Sequence, residues 1–357
     1  MKKNIYILFI LIFIGCVTQQ DEDLVEFGNT KYFSNDSFEN KVELKQQIFN
    51  EDFIGDPARL ALIDTFLFVV DIKLDTIIHL FSSNSKAYLG KLISRGSGPS
   101  ELITCSDIET SRTKRNFWAY DITSRKWIEY NIDSLSKNQK HENIIDFNNI
   151  SSDYKGIFHP QWLTDSTLVC SSLFKYNERF FVFDKKLEMK KAIYNPYLKI
   201  YPKFGDNILG DIFSSFISIK PDKSKIVIAG RYLDLIEIYN DNGDIQTMLK
   251  GPDKYFDFKF DIESSIKQGS LIKLPETKRA YIGIKTTDNC IYLLYSGKER
   301  KDPSHYSYAS IIYAFDWNGQ PLKKYELDAP ILSFEIDEKN NIIYALHQDS
   351  YIITYKI

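Results

Sequence analysis

A unit of four short apolar strands separated by polar turns recurs along this chain, and that repeat constrains its fold more than any other feature. One copy reads SFISIKPDKSKIVIAGRYLDLIEIYNDNGDIQTML, residues 215–249, where KPDKSK and NDNGD supply turn chemistry between β-rich runs. A last copy, ILSFEIDEKNNIIYALHQDSYIITYKI, begins the same way at Ile331, and others start near Leu60, Asp107, Gln161 and Ala280. No amphipathic helix of ten or more residues interrupts these six copies. A single small sheet cannot bury both of its faces, whereas neighbouring blades cover one another, so the repeat predicts an all-β, six-bladed β-propeller of four-stranded blades. The sixth copy reaches Ile357 after only three strands and would leave an open edge. NKVELKQQIF, residues 40–49, is strand-like and is expected to close the ring by pairing with SYIITYKI. An open solenoid would need distinct capping repeats, and none is seen.

The first residues address the compartment. Lys2 and Lys3 precede ten uninterrupted apolar residues, Ile5 to Ile14, which is too short for a span of about 20 and suits a signal-peptide core. Phe13-Ile14-Gly15-Cys16 resembles the lipobox of bacterial lipoproteins, with Phe13 where Leu is usual. That resemblance implies lipidation of Cys16, a signal peptide over residues 1–15, a lipid-anchored tether over 16–39 and the propeller over 40–357. Asp21-Glu22-Asp23 is either a surface-export signal like that of Bacteroidota-type lipoproteins or a solvated tether.

Composition agrees with the strand reading. Aromatic residues make up 15% of the chain, chiefly 23 Tyr and 25 Phe, and such residues suit pleated, half-buried surfaces. A net charge of -3 without a basic stripe excludes a nucleic-acid protein. Cys105, Cys170 and Cys290 are scattered, allow at most one disulfide and spell out no zinc site, so they read as small buried apolar residues.

RGSGPSE, residues 95–101, has the look of a phosphate cradle but neither the Walker nor the dinucleotide spacing, and a strand rather than a helix follows it. It reads better as a connector: Gly96 and Gly98 permit positive φ, and Pro99 fixes a sharp turn. Together with the six copies and the lipobox-like start, this segment resembles the TolB-like or NHL-like six-bladed propeller lipoproteins of Bacteroidota-type bacteria. In these a G-x-G-P-x-E stretch joins the first blades; Ser100 departs slightly from it. The resemblance covers roughly residues 40–357 and implies the fold rather than an activity.

Candidate ligand residues follow from position and type. Arg95 and Glu101 flank the rigid connector, where they either bind loop backbone and each other or face the channel mouth. His159, beside Pro160 and near Trp162, is the histidine best placed for a ligand contact; His79, His141, His305 and His347 stand apart from it. Residues 251–274 lengthen the connector ahead of the fifth copy, and residues 296–310 lengthen a loop within it. Lys298, Arg300, Tyr306 and Tyr308 give that loop a mixture suited to anionic or sugar-like partners. Asp71, Asp121, Asp184, Asp241 and Asp316 end strands and read as turn-formers. No nucleophile elbow, zinc helix or calcium loop occurs, and neither metal nor cofactor is expected.

The sequence therefore describes a protein lipid-anchored to the outer membrane, on its periplasmic or surface face, that acts mainly by binding a protein, peptide or glycan, with catalysis left open. The competing expectation is a propeller hydrolase, lyase or lactonase with carboxylates at the channel mouth, assisted by calcium. Three or more Asp, Glu, Asn or His side chains converging there would favour the enzyme, and an aromatic or basic patch would favour the binder.

Overall fold

The computed structural model describes residues 29–51, 55–110, 115–133, 144–154, 156–173, 178–199, 206–254, 258–263 and 270–357. The lipobox with Cys16, the acidic stretch after it and His141 lie outside the described residues.

Three N-terminal strands, β1 (Thr30–Tyr32), β2 (Asn40–Leu44) and β3 (Gln47–Asn50), precede the repeats. Blade 1 is β4 (Pro57–Ile63), β5 (Phe66–Asp71), β6 (Thr76–Ser82) and β7 (Tyr88–Ser94). Blade 2 is β8 (Asp107–Thr110), β9 (Asn116–Asp121), β10 (Lys126–Asn131) and β11 (Ile144–Asn149). Blade 3 is β12 (Ile157–Trp162), β13 (Thr167–Ser172), β14 (Phe180–Asp184) and β15 (Met189–Ile193). Helix α1 (Asp206–Ile212) leads to blade 4, which is β16 (Ser215–Ile219), β17 (Lys225–Gly230), β18 (Leu235–Asn240) and β19 (Ile245–Lys250). A hairpin of β20 (Phe260–Glu263) and β21 (Ser270–Lys273) sits in the long connector to blade 5. That blade holds β22 (Tyr281–Thr286), β23 (Ile291–Tyr295), the short helix α2 (Pro303–Tyr306) and β24 (Ala309–Phe315). A single strand, β25 (Pro321–Asp337), serves twice: its first half pairs with β24 as the outer strand of blade 5, and its second half pairs with β26 (Ile342–His347) as the inner strand of blade 6. β27 (Ile352–Lys356) follows.

Ring closure is visible in the core. One apolar cluster lies at every blade-to-blade junction: Phe68 with Phe117 between blades 1 and 2, Trp127 with Phe181 between 2 and 3, and Phe180 with Ile226 between 3 and 4. Val227 meets Leu293 between blades 4 and 5, Leu294 meets Ile343 between 5 and 6, and Leu346 meets Leu67 between 6 and 1. Blades covered on both faces explain why strands such as KIVIAG in β17 read as continuous apolar runs rather than alternating ones. The chain is a six-bladed propeller with four-stranded blades.

The expected closure is made by the second half of the predicted segment. β3 pairs antiparallel with β27, Ile48 opposite Ile353, and supplies the missing fourth strand of blade 6. β2 instead lies parallel to the outer strand of blade 5, Val42 opposite Tyr325, and β1 lies parallel to that of blade 4, Thr30 opposite Met248. Within the segment expected to be a tether, residues 30–38 therefore pack on the blades. Phe33 and Phe38 are buried against Tyr313 and Phe315, with Phe33 and Phe315 ring centres 4.9 Å apart and Phe38 stacked on Tyr313 at 5.1 Å. The N-terminal segment is a belt across the rims of blades 4, 5 and 6.

Strand-end aspartates act as turn-formers where the structure records their bonds. Asp71 accepts from the backbone N–H groups of Asp56, Lys73 and Leu74, Asp184 from those of Lys186 and Glu188, and Asp316 from those of Asn318 and Gln320. Asp121 accepts from the N–H groups of Ile103, Thr123 and Ser124, tying the first inter-blade connector to blade 2. Cys105, Cys170 and Cys290 are all free thiols.

Candidate functional site

The six inner strands run in one direction around the axis, so residues that begin them gather at one end of the channel, here called the upper mouth. They enclose a cavity of about 550 Å³ that reaches from this mouth to the turn carrying Pro221 and Lys223. Its walls bear charges that most inner positions of a propeller do not need.

Three blades meet at Asp107, the first residue of β8. Its Oδ1 accepts from Nδ1 of His159 in a short bond and from Nη1 of Arg59 at 3.4 Å. Burial opposes ionisation of Asp107, but the neighbouring His159 and Arg59 outweigh it and hold the carboxyl below its usual range. Burial lowers the pKa of His159 against the pull of Asp107, which favours the neutral ring; the carboxylate can only accept, so Nδ1–H donates to it and Nε2 of that form is an acceptor. Among the described residues Nε2 is buried and unpartnered, as is Asp107 Oδ2. His159 also holds φ at 50°, a left-handed conformation uncommon for a side chain of its size.

Farther along the channel, Lys285 of blade 5 pairs with Glu335 of blade 6. Burial pushes the Glu335 carboxyl up while Lys285 pulls it down. Glu109, one turn of the pleat below Asp107, is pushed up to about 7 by burial, with Lys223 and Lys285 opposing.

Arg231 and Arg279 close the upper mouth. Arg231 follows directly on β17, where Gly230 is required because a Cβ there would meet the Leu233 carbonyl oxygen at 2.6 Å. The Arg231 N–H donates to Ser214 O and its carbonyl accepts from Ala280 N at 2.9 Å, which ties this loop to the start of β22. Its guanidinium lies 5.9 Å from the Phe158 ring centre and 5.8 Å from that of Phe216. Arg279, held through its N–H on Lys298 O at 2.8 Å, lies 5.2 Å from the Tyr232 ring centre. Both Nε atoms are buried without a partner, and among the described residues neither guanidinium meets a carboxylate at ion-pair distance. Burial first, and then repulsion from Arg231, lowers the Arg279 pKa to about 10.

Of the residues expected at the site, His159 lines the cavity and Tyr306 comes close to it. Among the described residues the Tyr306 hydroxyl is buried and unpartnered, and burial pushes it up to about 12 although Arg279, Arg300 and Arg231 pull it down. Trp162 packs on Trp118 with ring centres 5.4 Å apart, between blades 2 and 3, and its carbonyl accepts from Lys223 Nζ. Lys298 and Arg300 are exposed, Arg300 donating to Lys273 O, while the half-buried Tyr308 is tied through its N–H to His305 O.

Arg95 and Glu101 lie outside the cavity wall. Arg95 clamps three carbonyls: Nε donates to Leu74 O at 3.1 Å, Nη1 to Ile103 O at 2.8 Å and Nη2 to Asp71 O at 3.2 Å. Glu101 folds back to accept from the Gly98 N–H at 3.0 Å. Gly96 and Gly98 do not hold positive φ; a Cβ at Gly96 would meet the Glu101 carboxylate and one at Gly98 would crowd it at 3.0 Å, so a side chain at Gly96 would displace Glu101 from the turn. Arg95→Ala is therefore expected to destabilise the fold by about 1–3 kcal/mol, the cost of carbonyls left without a charged donor. Ligand binding in the channel should be unchanged, and paired urea melts and titrations check both halves.

Sequence reasoning missed Arg59, Asp107, Glu109, Arg231, Arg279, Lys285 and Glu335 as site residues. For Arg59, Lys285 and Glu335 a signal existed, since each is a charged residue inside a largely apolar strand, as in PARLALI, YIGIKT and LSFEID; Asp107 and Glu109 in DIET carry no such signal.

The profile of the TolB-like 6-blade propeller-like family matches residues 36–339. The chain belongs to that family. Among solved structures this TolB-like chain is similar to a candidate exported protein from Bacteroides fragilis NCTC 9343, at 13% identity and a TM-score of 0.59, covering 91% of this chain and 98% of the other. It is also similar to U3-55K, at 9% identity and a TM-score of 0.50 over 87% of this chain and 98% of that one. The RRP9 WD40 repeats match at 9% identity and a TM-score of 0.50 over 87% and 97%. No curated protein matches. At these identities the likeness concerns the fold alone.

Proposed function

We propose that this TolB-like propeller is a binding module of the cell envelope that takes its ligand at the upper mouth of its channel. The observation that carries this reading is the contrast in charge along the channel. Asp107 is answered by Arg59 and His159, and Glu335 by Lys285, whereas among the described residues no carboxylate answers Arg231 or Arg279 at the cavity. A basic patch edged by Phe158, Phe216 and Tyr232 is built to hold something, and paired carboxylates have their reactivity spent on their partners. The envelope assignment draws support from the lipobox-like start and from the exported protein among the similar structures. Anchoring through Cys16 has a direct consequence: Cys16→Ser should move the protein from the membrane to the soluble fraction. Mass spectrometry finding an unmodified Cys16 at the mature terminus would overturn it.

One observation favours the enzyme reading. Asp107, Glu109, His159 and Glu335 line one cavity, and His159 Nε2 is a free acceptor backed by a carboxylate, the arrangement of a general base. The deciding experiment incubates the full-length protein with envelope-derived small molecules and glycans and follows both thermal stabilisation and the fate of each stabilising compound. A compound recovered intact supports the binding module. Conversion that His159→Ala abolishes supports the hydrolase or lyase.

A further inference from the structure

Resting on the reading of the upper mouth as the ligand site, we propose that its ligand is a carboxylate-bearing sugar, a uronate, gripped through its carboxylate by Arg231 and Arg279. Two guanidinium groups with buried Nε atoms repel each other and have no carboxylate to answer them among the described residues. An oxyanion relieves that cost, and arginine forks suit a planar carboxylate in particular.

The remaining walls ask for more than an anion. Asp107 Oδ2 and His159 Nε2 are buried acceptors without donors, and a bare oxyanion would be repelled by the first and ignored by the second. Hydroxyl groups satisfy both. Phe216 connects the two halves, since its ring lies 5.8 Å from the Arg231 guanidinium and 5.1 Å from the His159 ring. Phe158 and Phe216 then offer apolar faces to the C–H side of a sugar ring. A neutral sugar answers the acceptors but leaves the arginines unmet, and an apolar acid does the reverse. A sugar acid answers both, and a cavity of about 550 Å³ has room for it.

Isothermal titration of the full-length protein tests this with D-glucuronate, D-galacturonate, the methyl ester of each, D-glucose and inorganic phosphate as probes. At least one uronate should bind about tenfold or more tightly than its methyl ester, glucose and phosphate, because a buried site built for a charged group rejects the analogue lacking it. Arg231→Gln and Arg279→Gln should each weaken that uronate about tenfold or more, with Arg95→Gln as the control outside the cavity. The ester comparison needs no variant, so it decides the matter even if an arginine variant fails to fold. Phosphate binding as tightly as both uronates, equal affinity for acid and ester, or full affinity in both folded arginine variants would overturn the inference. An envelope compound that stabilises the protein and is not displaced by either uronate would overturn it too, while leaving the binding module standing.

Discussion

Deleting residues 29–50 is expected to abolish cooperative folding. The belt carries Phe33, Phe38, Leu44 and Phe49, each no more than 5% exposed, into the grooves at the rims of blades 4, 5 and 6. At about 1.5–3 kcal/mol for each fully buried side chain, the four contribute roughly 6–12 kcal/mol, comparable with the entire stability of about 5–15 kcal/mol typical of a folded protein. Deletion also uncovers Tyr313, Phe315 and Tyr344, which the belt aromatics touch, and leaves β27 as an unpaired edge open to aggregation. Phe38→Ala alone should cost about 3–5 kcal/mol, since its ring packs on Phe33, Tyr313 and Phe315 and the hole cannot collapse. Circular dichroism melts and urea titrations read both variants. A belt-deleted protein that still unfolds cooperatively within a few degrees of the full chain would mean that the ring is held by the blades alone.

The belt also marks where the sequence was legible and where it was not. Six copies could be counted because the inter-blade clusters impose the same apolar strands and the same aspartate turns on each, and the open edge of the last copy pointed to residues 40–49. Asn29 to Glu39 gave no repeat to recognise. A single tripeptide strand and two phenylalanines spaced by a polar turn look like a tether until their partners, nearly three hundred residues away, are in place. The site was hidden for a related reason. Arg231, just after β17, stands beside Phe158 and Phe216 of two inner strands, and Arg59, Asp107 and His159 come from three successive blades, so no local spacing joins them. His159 could be picked out because it stands beside Pro160 and near Trp162 at the start of a copy. Arg95 and Glu101 drew attention through the connector motif, and the same motif explains their actual work of holding that bend closed.

Breaking the ion pair between Arg179 and Glu237 should be the most damaging single change within the blades. Arg179 immediately precedes β14 of blade 3, Glu237 lies in β18 of blade 4, and both side chains are at most 2% exposed. Arg179 Nε donates to Glu237 Oε2 at 2.9 Å, Nη2 adds a short bond to the same oxygen and another to Ser215 Oγ, and Nη1 donates to Phe213 O. Glu237 Oε1 accepts from the Tyr239 and Tyr197 hydroxyls at 3.0 and 3.4 Å. Burial alone would make Arg179 easier to deprotonate, but Glu237, Tyr239 and Tyr197 more than offset it and hold its pKa above the ordinary value. Removing one partner leaves a charge in a dry interface, so Arg179→Met and Glu237→Leu should each cost about 3–5 kcal/mol. The double variant should recover most of that loss, because two apolar side chains need no counter-ion, and the cycle should show strong coupling. The effect should also reach the channel. Phe213 and Ser215 flank Ser214, whose carbonyl accepts the Arg231 N–H, and Phe216 follows at the mouth. Folded material lacking Arg179, the double variant included, should therefore bind any channel ligand more weakly than Glu237→Leu, in which Arg179 can still hold Phe213 and Ser215. Single variants within about 1 kcal/mol of the parent in urea titration, or a double variant no better than the worse single one, would show that blades 3 and 4 are joined by their apolar cluster rather than by this pair.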